Sequence, residues 1–175
     1  MFLGTFQLKL DDKGRLNIPS RYREILQEEY PPAGHGPISP ELILSFVGRC
    51  ITAYPKAEWM RLAHTLTAAI TLPSLHRDFR DLERVLFSNA AECSIDAQGR
   101  VLIPPLLREK ANLEGDVIIA GVNTYFEIWN REHWDDYSLT LEGREEEIAQ
   151  KFAELSDARL PRREHTFGDG LPPRL

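Results

Sequence analysis

Two cysteines in 175 residues are too few and too isolated for a disulfide framework or a zinc site. Cys50 and Cys93 sit among apolar neighbours and read as buried free thiols. No run approaches the ~18–20 uncharged apolar residues that a membrane span requires. The start, Met1-Phe2-Leu3-Gly4-Thr5-Phe6, lacks the basic head and apolar core of a signal peptide, so a cytoplasmic chain without membrane attachment is expected. Catalytic signatures are missing too. His35, His64, His76, His133 and His165 show no metal-ligand spacing, and there is no HExxH, glycine-rich phosphate loop or Gly-x-Ser-x-Gly. Asp11-Asp12 is a carboxylate pair on a turn without an acid/base partner. No enzyme activity, metal or cofactor is therefore expected. Nor is positive charge in excess. Twenty-one Lys and Arg against 27 Asp and Glu give a net charge of −6, which by itself argues mildly against nucleic-acid binding.

What is there redirects that argument. Hydrophobic content of 42% and charged content of 27% are ordinary for a globular chain with a real core. The charge is uneven: residues 1–23 carry Lys9, Lys13, Arg15, Arg21 and Arg23 against Asp11 and Asp12, a local +3. The acidic excess collects at Glu142, Glu145, Glu146, Glu147, Glu154 and Asp157. Attraction to phosphate depends on the field of a patch and not on the total.

The chain also repeats itself. Asp11-Asp12-Lys13-Gly14-Arg15-Leu16-Asn17-Ile18-Pro19-Ser20-Arg21-Tyr22-Arg23-Glu24 returns 85 positions later as Asp96-Ala97-Gln98-Gly99-Arg100-Val101-Leu102-Ile103-Pro104-Pro105-Leu106-Leu107-Arg108-Glu109. A second echo, at an offset of 75, relates Ile51–Trp59 to Phe126–Trp134. The ten-residue difference has a source in the Pro/Gly-rich stretch Tyr30–Pro37, where the second copy has only Asn112–Gly115. Such a repeat implies one structural unit duplicated and packed on itself.

Phe6–Leu10 alternates apolar and polar residues, Asp11–Gly14 supplies a turn, and Arg15–Ile18 resumes the alternation, a hairpin pattern. Pro19 ends the strand and Ser20 is a candidate cap for a helix over Arg21–Leu26. Leu42–Phe46 and Cys50–Tyr54 read as two further strands. Helices are predicted over Lys56–Ile70, Ser74–Phe87 and Leu141–Leu155 from apolar spacings of three and four. The implied divisions are a first repeat at 5–60, a helical segment at 61–88, a second repeat at 89–135, a C-terminal helix at 136–157, and a disordered tail at 158–175 rich in Pro, Gly and charge.

A Gly-Arg step on a protruding turn can fork a guanidinium onto a phosphate or the O6/N7 edge of guanine. Equally, Arg15 and Arg100 can pair with Asp11 and Asp96 across the turn, and the two roles are compatible. Comparison of the copies separates them in part. Asp11, Gly14, Asp96 and Gly99, with the Ile and Pro that follow, are kept and read as the turn itself. Lys9, Lys13 and Arg21 give way to Ser94, Gln98 and Leu106. The first copy, with Lys9, Lys13, Arg15, Arg21 and Arg23, is thus expected to read nucleic acid, with Arg100 a lesser contributor and the second copy a packing partner. The arc of Arg77, Arg80 and Arg84 reads as a solvated face paired with Asp78, Asp81 and Glu83, with an auxiliary DNA surface the minor option. The apolar faces of the intervening and C-terminal helices suit either subunit contacts or burial within one subunit.

This Asp-x-x-Gly-Arg-Leu-x-Ile-Pro-x-x-Tyr-Arg-Glu motif, its second copy, the intervening helices and the Trp after each unit resemble the MraZ family over roughly residues 1–155. The resemblance implies an α+β fold of two AbrB-like swapped-hairpin units packed as an intramolecular pseudo-dimer, with connecting and C-terminal helices. It implies a bacterial transcriptional regulator that binds double-stranded DNA at promoter repeats of the division and cell-wall gene cluster. A nucleoid association and a ring-shaped homo-oligomer are implied as well. Its Asp-x-x-x-Arg signature falls on Asp11 and Arg15, and again on Asp96 and Arg100. The insertion at 30–40 and the charged tail depart from the family pattern without touching the motif. A protein-interaction module of antitoxin type, using residues 158–175 to engage a partner, is the second reading of the same scaffold.

Overall fold

The computed structural model describes residues 1–31, 40–69 and 76–159. Nearly all of the 30–40 insertion, and the predicted tail from Leu160 onward, lie outside the described residues. The chain divides into two compact units, Met1–Asp136 and Tyr137–Leu175. In order the elements are β1 (Thr5–Lys9), β2 (Arg15–Asn17), α1 (Ser20–Glu29), β3 (Glu41–Val47), β4 (Cys50–Pro55), α2 (Lys56–Ala69), α3 (His76–Ser88), β5 (Ala90–Ser94), β6 (Arg100–Leu102), α4 (Pro105–Lys110), β7 (Asp116–Val122), β8 (Tyr125–Asn130), α5 (Arg131–Glu142) and α6 (Glu145–Arg159). None of the described helices is long and apolar enough to cross a membrane.

The repeats are interleaved. A six-stranded antiparallel sheet runs β1-β7-β8-β4-β3-β5, and a two-stranded one joins β2 to β6. Each repeat's first strand therefore lies on the other repeat's hairpin. Thr5–Lys9 pairs with Asp116–Ala120, and Ala90–Ser94 pairs with Glu41–Ser45. The central β4–β8 seam, Ile51–Ala53 against Phe126–Ile128, joins the two hairpins by strands that occupy the same place in each repeat. The order thus reads as a pseudo-twofold arrangement about that seam.

The exchange changes the expected hairpin. The turn forms, but next to it the chain pairs through a single isolated bridge, Leu10–Leu16, matched by Ile95–Val101 in the second repeat. A lone two-stranded hairpin is marginal in water. Crossing over lets Leu16, Ile18, Val101 and Ile103 enter one core with Leu42, Leu44, Val117, Ile119, Phe126 and Ile128. Tyr22 lies at the centre of an aromatic cluster with Phe2, Phe6 and Phe126, ring centroids 5.0–5.3 Å away. Its hydroxyl donates to the Leu3 and Gly4 carbonyls, satisfying the polar end of a fully buried ring.

The sheet's other face is covered locally. Trp59, Leu66 and Leu86 of α2 and α3 pack on Ile43, while Trp134 of α5 closes over Cys50, Ile118 and Trp129. Desolvation pushes the thiols of both cysteines upward, that of Cys93 to about 11, as befits buried, unreactive groups.

Helix ends differ from expectation in two places. Ser20 is the first helical residue and makes no cap bond; the boundary residue is Pro19, whose carbonyl accepts from the Tyr22 and Arg23 amides. The C-terminal segment holds two helices. Asn130 opens α5 by accepting from the His133 amide through Oδ1, and α6 starts after Gly143, a residue that favours a helix break.

Candidate nucleic-acid interface

Two turns of near-identical build define the site. In the first, Asp11 and Arg15 close a three-residue loop, with the Arg15 carbonyl accepting from the Asp11 amide at 3.0 Å and the Asp11 carbonyl from the Gly14 amide at 2.8 Å. Gly14 has φ +80° and Gly99 φ +81°, the left-handed region required of the last loop residue. Asp11 organises the rest. Its Oδ1 accepts from the Lys13 and Arg15 amides at 2.9 and 2.8 Å, and its Oδ2 from Arg15 Nε at 2.7 Å. Asp96 does the same for the Gln98 and Arg100 amides, both at 2.9 Å.

These donors hold both carboxyls below the ordinary aspartate value. For Asp11 the leading cause is the Arg15 amide; for Asp96 it is the Arg100 side chain. That difference follows the geometry. Arg15 spends one donor, Nε, on Asp11. Arg100 gives Nε and Nη2 to Asp96 at 2.9 and 2.7 Å, and Nη2 also reaches Gln98 Oε1 at 3.0 Å. Asp96 correspondingly pushes the Arg100 guanidinium upward.

The β2–β6 ladder sets the turns side by side, with Arg15 opposite Leu102 and Asn17 opposite Arg100. Leu16 and Val101 point into the core, so alternation places Arg15, Asn17, Arg100 and Leu102 on the outer face. The two arginines are diagonal neighbours, about 7–8 Å apart at the backbone. Lys13 on the loop, Lys9 on β1 and Arg21 on α1 are exposed. Lys9 stands opposite Asp116 in the β1–β7 ladder.

Arg23 sits elsewhere. It is partly buried and lies over the second turn: a β-carbon on Gly99 would stand 2.5 Å from its Nη1 and 2.8 Å from its Cζ. Arg108, its counterpart, lies over the first turn, 2.5 Å from a β-carbon on Gly14 to Cζ. Sequence reasoning passed over Arg108 and Gln98 as site residues. Arg108 had a legible signal, retention of Arg at the 23/108 register, but the fact that it serves the opposite turn is tertiary.

Away from this face, Arg77, Arg80, Asp81 and Arg84 line an open surface cavity of about 560 Å³ on α3. Arg84 donates to Asp81 at 2.6 Å, one of the pairings expected for a solvated arc.

Interleaved repeats presenting two Asp-anchored Gly-Arg turns on one short ladder define a two-repeat α+β protein built around a paired basic turn. The family described as "MraZ protein, putative antitoxin-like" matches residues 1–84 and again 86–159, once per repeat. A transcriptional regulator MraZ of Syntrophobacter fumaroxidans is 44% identical over 134 residues, 77% of this chain and 82% of that protein. Those of Heliobacterium modesticaldum and Roseiflexus castenholzii are 40% and 39% identical over 155 residues, 89% of this chain and 99% of each relative. The chain belongs to the MraZ family.

Proposed function

We propose that the protein is a sequence-specific transcriptional regulator that binds double-stranded DNA through the paired turns. The observation that carries this reading is the β2–β6 ladder, which puts Arg15 and Arg100 on one outer face with Lys13 beside them. Phosphate contacts from such cations position a protein on DNA, and a bidentate arginine reads guanine. Lys9, Lys13, Arg15 and Arg21 form the contact surface. Arg23 contributes through the second turn on which it rests, and Arg100 is the weaker arginine because Asp96 and Gln98 already hold it. The crossed pairing of β1 with β7 and β5 with β3 supports an AbrB-like swapped-hairpin pseudo-dimer. Relatives named as transcriptional regulators support the role. The family resemblance extends the proposal to promoter repeats of the division and cell-wall gene cluster, nucleoid association and a ring-shaped homo-oligomer, whose several turns would raise effective concentration on tandem sites.

Titration of the protein against its own upstream region, with scrambled DNA as control, tests the reading. Binding should favour the upstream region and weaken steeply with salt, with log affinity falling by about 0.9 per phosphate contact for each unit of log salt. Arg15→Ala should abolish binding without unfolding the chain, and Arg100→Ala should harm it less. Equal affinity for both DNAs, or equal loss in both folded variants, would overturn it. Light scattering reports the subunit number.

A further inference from the structure

The two turns are each covered by an arginine of the opposite repeat, and the covers are unequal. Arg108 Nε donates to the Ile103 carbonyl at 3.1 Å, and the Ile103 amide donates to the Gly14 carbonyl at 2.9 Å. The guanidinium thereby lies on Gly14, where a β-carbon would come within 2.5–2.8 Å of Cζ, Nε and Nη1. Glycine at this position thus meets two demands, a positive φ and room for the arginine. In the mirror arrangement the Ile18 amide donates to the Gly99 carbonyl at 2.9 Å and Arg23 lies on Gly99. Arg23 Nε, however, is buried with no acceptor among the described residues. Among the described residues, the closed chain of contacts, arginine to carbonyl to amide to glycine, exists only under the first turn.

We propose that Arg108 is a positioning residue for DNA recognition, holding the Lys13/Arg15 turn of the first repeat in its binding geometry from the second. Physically, Arg108 fills the space behind Gly14 and ties it through Ile103, so that the loop bearing Lys13 and Arg15 does not have to be ordered when DNA arrives. The second repeat then does more than complete the core: it supplies the support on which the first repeat's turn rests. Arg23 returns the contact to the second turn without the hydrogen bond. The part of this inference that concerns DNA rests on the function proposed above.

The test uses the full chain with Arg108→Met and Arg23→Met, read by hydrogen–deuterium exchange on peptides spanning 9–18 and 94–103 and by titration with the upstream DNA across salt. Arg108→Met should speed exchange about tenfold in 9–18 and, within 94–103, only at the Ile103 amide that donates to Gly14. Arg23→Met should do the reverse, by a smaller factor. Affinity for DNA should fall about tenfold in Arg108→Met, equivalent to ~1.4 kcal/mol, with the salt slope unaltered because no phosphate contact is lost. Arg108→Lys retains charge and stem but has no donor at the Nε position; it covers the case of a misfolded Arg108→Met and should loosen the same turn. Unchanged exchange in 9–18, or equal acceleration of both turns, overturns the proposal. A salt slope reduced by about one in Arg108→Met, the signature of a lost phosphate contact, overturns it as well. Should the wild-type chain fail to bind DNA, the proposed function falls, while the exchange measurements still decide whether Arg108 holds the first turn.

Discussion

Gln98 Oε1 accepts a hydrogen bond from Arg100 Nη2 at 3.0 Å, and the first repeat has Lys13 in the same register. An ammonium offers donors only, so Lys13 cannot restrain Arg15 as Gln98 restrains Arg100. One residue difference therefore changes both the charge of the turn and the freedom of its arginine. Exchanging the two residues should exchange the character of the turns. Gln98→Lys is expected to raise DNA affinity a few-fold and steepen the log–log salt dependence by about one, and Lys13→Gln to do the opposite. Anisotropy titrations at several salt concentrations provide the check; identical slopes in both variants would show that the pairing is incidental.

Acid should undo the turns. Both Asp11 and Asp96 have folded-state values lowered from the ordinary 3.8. Their stabilisation is therefore present above about pH 3.8 and lost as pH falls through the lower folded values. Thermal melts between pH 5 and pH 2 should show a fall in midpoint that is smaller in the Asp11→Asn, Asp96→Asn double variant. The wild-type curve should flatten above the ordinary value. An unchanged pH dependence in that variant would contradict the carboxylates' role.

A third expectation concerns the N-terminal edge of the core. A β-carbon at Gly121 would stand 2.4 Å from the Tyr22 hydroxyl and 2.7 Å from the backbone at Phe2 and Leu3. Rotamer change cannot clear a backbone clash, so Gly121→Ala should destabilise the fold by about 1–3 kcal/mol, the range for overpacking. Tyr22→Phe, which removes only the hydroxyl bonds to Leu3 and Gly4, should cost about 1 kcal/mol. Chemical denaturation curves with unchanged slope would measure both; a neutral Gly121→Ala would mean that the Phe2–Leu3 backbone does not approach this closely in solution.

Much of the local structure was legible because it is encoded locally. The Asp-x-x-Gly-Arg turns could be read from the need for an accepting carboxylate and a glycine at positive φ. The strands over 42–46 and 50–54 could be read from their apolar runs. The missed break at Gly143 shows the limit: periodicity over Leu141–Leu155 continues across a residue that separates two helices. Equally illegible was the splaying of β1 from β2, since alternation is the same whichever strand completes the ladder.

By itself, then, the sequence determined the duplication, the chemistry of the two turns and the excess of cations on the first. Those are properties of residue type and spacing. Tertiary structure alone decided which strands pair across the repeats, that Arg15 and Arg100 share one outer face, and that Arg23 and Arg108 each cover the other repeat's glycine. The reason is that a three-residue ladder cannot bury its own apolar face; that face closes only when the second repeat, 85 residues away in the chain, supplies the opposing side.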